Sequence, residues 1–168
     1  MIKSIAKQRV TPVIMAGVLL CLYVLPSSVL AQWNPSNKTL AKAQNTIDQF
    51  FDEDIVKSSI NLNSNYYEII HLDSVVGYAC LQQAPSKHDN FDFLAIYSPQ
   101  MELIKLRVLT YRENYGGEIA NKRWLKQFLN RQVDDIQAIS GATISVESMK
   151  LAVTSLTQKM KNWQKSQL

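Results

Sequence analysis

Residues 140–145 read Ser-Gly-Ala-Thr-Ile-Ser, and directly after them Val146, Met149, Val153, Leu156, Met160 and Trp163 recur at steps of three and four. That spacing places a continuous apolar stripe on one face of a helix, which a chain must cover with a second apolar surface. The hydroxyl-rich stretch sits where this helix begins. The first amides of a helix have no partner within it, and the helix dipole favours negative charge there. A small, hydroxyl-bearing loop at such a place suits a phosphate. Gly141 lets the backbone approach closely, Ser140, Thr143 and Ser145 offer donors, and Thr143 is able to carry a phosphoester. The same residues also admit a purely structural reading, with Ser145 as the N-cap and Gly141 as a turn residue.

The surface that covers the stripe is legible upstream. From Tyr66 the apolar period shortens, and residues 67–72, 75–82, 91–98 and 102–111 read as strands separated by short turns, the first of them a hairpin around Asp73 and Ser74. Four strands with short connections imply an antiparallel sheet. Ser36 is placed to cap a helix over residues 38–51. A second helix is expected over 121–130, burying Trp124, Leu125, Phe128 and Leu129, and the last runs to about Lys165. The whole is an α+β fold, an antiparallel sheet of about four strands with helices packed on it.

The N-terminus is of another kind. Lys3, Lys7 and Arg9 precede a mostly apolar run over residues 13–25, broken by Pro26, Ser27 and Ser28 and followed by Val29, Leu30 and Ala31. This is the layout of a secretory signal peptide, with an uncleaved membrane anchor as the rival. Three of the 18 basic residues lie in this leader and none of the 14 acidic ones, so the remainder is close to neutral despite a net charge of +4. A near-neutral remainder gives no support to nucleic-acid binding. The domain plan is therefore a leader or anchor over 1–31, a tether and helix over 32–59, and a main domain over 60–168. The expected location is the periplasm or cell envelope, membrane-anchored if the leader is kept.

Without the leader, and with it Cys21, Cys80 is the one remaining cysteine, and its apolar surroundings mark it as a buried thiol. The acidic run at residues 52–54 reads as a solvated turn. His71 and His88 are the only histidines, and no Cys/His cluster supports zinc. His88 beside Asp89 is a weak acid/base pair, because general catalysis needs placement against a bound substrate.

Ser-Gly-Ala-Thr-x-Ser resembles the signature of the FMN-binding domain family, which includes the periplasmic flavin-carrying subunits of the sodium-pumping NADH:quinone reductase and of RNF complexes. The resemblance implies FMN as cofactor, held by Ser140, Gly141, Ala142, Thr143 and Ser145. In the family a flavin transferase couples FMN through its phosphate to the threonine of Gly-Ala-Thr, here Thr143. A second likeness runs through Tyr111, Arg112 and Glu113 to Gly116 and Gly117, then on to Trp124 and Phe128. Family members carry a Glu-Thr-Pro-Gly-like turn near the flavin. Here Asn114 and Tyr115 replace its centre, so Glu113, Gly116 and Gly117 are the implied pocket residues and Tyr115 a candidate ring contact. One departure stands out: an Asp six residues before the modified threonine is replaced by Gln137.

The resemblance implies an exported one-domain flavin electron carrier. Its partners would be redox proteins, membrane-bound, with a flavin transferase if attachment is covalent. A substrate-converting flavin enzyme is less well supported. The alternative from another class is a non-redox binding or accessory module that keeps the fold without flavin, motivated by Gln137 and the altered turn.

Overall fold

The computed structural model describes residues 33–167 apart from 52–54, 61 and 63–64. The leader, Cys21 and the acidic turn at 52–54 thus lie outside the described residues, and from Trp33 onward the chain forms one compact unit. Its elements are α1 (Asn37–Phe51), β1 (Val56–Ser59), β2 (Tyr66–His71), β3 (Ser74–Pro85), β4 (Asn90–Tyr97), β5 (Leu103–Thr110), α2 (Lys122–Leu125), α3 (Gln127–Asn130) and α4 (Thr143–Lys165), with short 3-10 turns at Gly117–Ala120 and Val133–Asp135.

The strands pair antiparallel in chain order, β1-β2-β3-β4-β5, so the sheet is a meander of five strands and not of four. The extra strand is β1, Val-Lys-Ser-Ser, whose one large apolar residue, Val56, is exposed. An edge strand that buries almost nothing has no hydrophobic period to read. The β2–β3 turn falls at Leu72 and Asp73, one residue earlier than expected. Both take positive φ, 45° and 59°. Two such residues match the twist of the flanking strands in a two-residue hairpin. β3 also runs three residues beyond its expected end, because Ala84 and Pro85 pair with Phe91 and Asn90.

Alternation along β3 and β4 gives the sheet two apolar faces. Tyr78 and Cys80 of β3, with Phe91, Phe93, Ala95 and Tyr97 of β4, face the stripe of α4 and the Trp124–Phe128 region. Ala79, Leu81, Leu94 and Ile96 face the other way, against Ala43 and Ile47 of α1. The sheet is therefore covered on both sides, which explains why β4 is buried almost throughout. The Cys80 thiol lies 3.5 Å from the Met160 sulfur, and burial pushes its pKa up, as an inert core thiol requires.

The expected helix over 121–130 is two four-residue pieces meeting at Lys126. Asn121 starts the first by accepting from the Arg123 amide at 2.8 Å. Trp124, Leu125 and Phe128 are buried, whereas Leu129 is only half-buried. Ser36 caps α1 as expected, accepting from the Thr39 amide at 3.2 Å.

Candidate functional site

Residues 139–143 form a turn into α4. The Ala142 amide donates to the Ile139 carbonyl at 3.1 Å, and Gly141, in the third position, has φ 80°. Glycine takes that left-handed conformation without a steric penalty. A Cβ on Gly141 would meet nothing within 4 Å, so this backbone stands open to a ligand. α4 then begins at Thr143, with Ala142 as N-cap. No side chain caps it and no acidic residue lies in its first turn. A helix of 23 residues thus presents bare amides at this end.

This helix end lines a cavity of about 550 Å³, together with Ser86, Lys87 and His88 from the β3–β4 connection and Tyr111, Glu113 and Tyr115 from the segment after β5. Its size falls within the ~300–1,000 Å³ of small-molecule sites. Thr143, Gly141, Ala142, Ser145 and Glu113 therefore meet at one place, although some 30 residues separate Glu113 from the others. Ser140 is exposed and does not line the cavity.

Two of the expected residues serve differently from their first reading. Ser145 is not the N-cap. It is the third residue of α4, buried, with its hydroxyl 2.6 Å from the Ser86 hydroxyl and 3.0 Å from that of Tyr111. Tyr111 in turn donates to the Tyr115 carbonyl at 2.7 Å. Ser145 therefore braces the helix end against both neighbouring loops. Glu113 accepts from the backbone amides of His88 and Asp89 at 2.7 and 3.0 Å. Those two bonds hold its pKa below the usual carboxylate range, and its charge is spent on shaping the loop that carries Lys87 and His88.

The glycine pair divides in role. Gly116 is buried with φ 83°, and a Cβ there would come within 2.6 Å of the Tyr111 hydroxyl and 3.4 Å of the Ala142 Cβ. The close approach of Gly116 to Ala142 joins the two family-like segments. Gly117 has ordinary φ and makes only a loose approach to the Tyr111 ring. Tyr115 lines the cavity and is 84% exposed, so its ring is free to lie against a ligand. Gln137 is exposed, yet its backbone is fixed at both ends: its carbonyl accepts from the Trp124 indole at 2.8 Å and its amide donates to the Gln127 side chain at 3.1 Å. Sequence reading missed Ser86, Lys87 and Tyr111 as site residues. Ser86 and Lys87 carry no motif, and Tyr111 stands in the second family-like segment without a role of its own there; the pairing of β3 with β4 and of β4 with β5 brings all three to the α4 end.

Residues 88–158 match the family model of the FMN-binding domain. Among curated proteins none matches the chain. The matched stretch runs from the His88 loop through both glycine segments into α4, so it spans most of the cavity wall.

Proposed function

The chain carries an FMN-binding domain over residues 88–158, with FMN as its cofactor, and on that premise we propose that it is an exported electron carrier whose FMN phosphate is esterified to Thr143. The observation that carries this reading is the bare end of α4 opening, through Gly141, into the cavity. Backbone amides at a helix N-terminus stabilise a phosphate by direct hydrogen bonds and by the helix dipole. Lys87 on the facing loop adds a positive charge. The Thr143 hydroxyl is exposed at the first helical position, where a transferase can reach it and where the phosphate it would bond is already favoured. FMN, when bound, supplies the redox chemistry, while the protein supplies binding and orientation.

The residues around the cavity do little that a substrate-converting enzyme would need. Glu113 is committed to two amides, Ser86, Tyr111 and Ser145 to one another, and His88 stands alone as an acid/base group. That favours a carrier, whose donor and acceptor are membrane-bound redox proteins. Export follows from the leader-like residues 1–31.

In-gel flavin fluorescence of the chain co-expressed with a flavin transferase tests the proposal. A fluorescent denatured band is expected, lost in Thr143→Ala, and it would mean that Gln137 is tolerated before the attachment site. A dark band from a yellow native protein would remove the ester and keep the binding. A colourless protein that takes up no FMN would overturn the carrier reading in favour of a non-redox module.

A further inference from the structure

A second cavity of about 550 Å³ lies away from the FMN site, along β5. One wall is α1, through Thr46, Gln49 and Phe50. The other is formed by Ala120 and the α2–α3 pair, and the floor is residues 104–108 of β5. β5 is the last strand of the meander, so one edge of it has no neighbouring strand. Among the described residues, no backbone–backbone hydrogen bond outside the sheet ladder reaches residues 103–110. Among the described residues, the single side chain that serves this strand's backbone is Lys42, which donates to the Leu109 carbonyl at its far end. Among the described residues, the backbone donors and acceptors of β5 that face away from β4 therefore have no partner in the cleft, which makes this edge a template for another strand.

The charge of the cleft is one-sided. Among the described residues, Lys105, Arg107, Lys122 and Lys126 line it and no carboxylate does. Among the described residues none of these four forms an ion pair. Cations on an edge strand ordinarily guard it against pairing. Here the two on β5 are drawn aside: Arg107 donates to the Thr46 hydroxyl at 2.9 Å, and the Lys105 ammonium stands 5.4 Å from the Phe50 ring centre. They decorate the α1 wall, and Lys122 and Lys126 stand on the opposite side. An extended chain lying between would have cations on both flanks.

We propose that this cleft takes an extended acidic segment of a partner protein as a sixth strand on β5. Main-chain hydrogen bonds to the free edge would supply affinity, and carboxylates flanked by the four cations would supply selectivity. The floor of five residues matches a segment of about 17 Å at the strand rise.

The test is fluorescence anisotropy on the full chain with a labelled peptide of alternating valine and glutamate. Binding should weaken with salt, and Lys122→Glu with Lys126→Glu should weaken it at least about ten-fold, as like charges placed against the peptide require. Both lysines are exposed, so their reversal leaves the fold standing. The same peptide N-methylated at every backbone amide keeps its charge and has no N–H left to offer an edge; it should fail to bind. Amide hydrogen exchange over residues 104–108 should slow when the unmodified peptide is added. Equal binding of the N-methylated peptide, equal binding of a lysine-for-glutamate peptide, or no binding at all would overturn the proposal. So would equal competition by succinate or by anionic phosphatidylglycerol vesicles, since either would make the cleft a general anion site.

Discussion

At the level of single residues, the two positive-φ glycines separate conformation from space. Gly141→Ala should destabilise the protein by about 1–2 kcal/mol, the cost of holding an L-residue in the left-handed region, because a Cβ there meets nothing. Gly116→Ala should cost more, since its Cβ also runs into the Tyr111 hydroxyl, which the Tyr115 carbonyl holds in place. Urea unfolding of the two variants reads the difference. If the phosphate sits at the start of α4 as proposed, FMN titration should reverse the order, with Gly141→Ala losing more affinity because its methyl would stand where the phosphate approaches. Glu113 gives a pH signature. Its pKa is lowered in the folded protein, so its bonds to His88 and Asp89 are fully present above the ordinary glutamate pKa and are lost as pH falls through the lower, folded value. The amide NMR shifts of His88 and Asp89 should titrate together with a midpoint below the usual glutamate range, and Glu113→Gln should abolish that titration.

Among the elements, α4 joins the core to the site. Its buried stripe, from Val146 through Met160, holds it on the sheet, and its N-terminus is left bare. Capping and phosphate binding compete for the same amides. Thr143→Asp should therefore stabilise the FMN-free protein by about 0.3–1 kcal/mol through the helix dipole, while sharply weakening FMN uptake. Thermal unfolding of the apoprotein and FMN titration measure the two halves. Unchanged FMN affinity would place the phosphate elsewhere than the helix end. The stripe of α4 was fully visible in its three- and four-residue spacing, as was the Ser36 cap of α1. β1 was not visible, because a four-residue edge strand with one exposed valine carries no periodic signal. The break at Lys126 was equally hidden, since the apolar spacing of Trp124, Leu125 and Phe128 fits one helix or two short ones.

For the molecule as a whole, one buried polar cluster ties the layers together beside the site. Asp92, fully buried on β4, accepts from Arg112 at 3.0 and 2.6 Å, from the Thr39 hydroxyl of α1 at 2.9 Å and from Gln83 of β3 at 3.1 Å. Arg112→Met would leave that carboxylate buried without its cation and should cost about 3–5 kcal/mol in urea unfolding. Arg112 lies between Tyr111 and Glu113, so the same change should also loosen the FMN site. By itself the sequence determined the class of fold, the face of α4 that is buried and the glycine-bearing loop that opens the start of α4. Those properties are local: they follow from side-chain period, from turn chemistry and from the bare amides at a helix start. Only the tertiary structure decided what surrounds that loop. It turned Ser145 from a cap into a brace, spent the Glu113 charge on the His88 loop, and brought Ser86, Lys87 and Tyr111 to the cavity. These residues meet through strand pairing between distant segments, and no spacing within one segment encodes a contact of that kind.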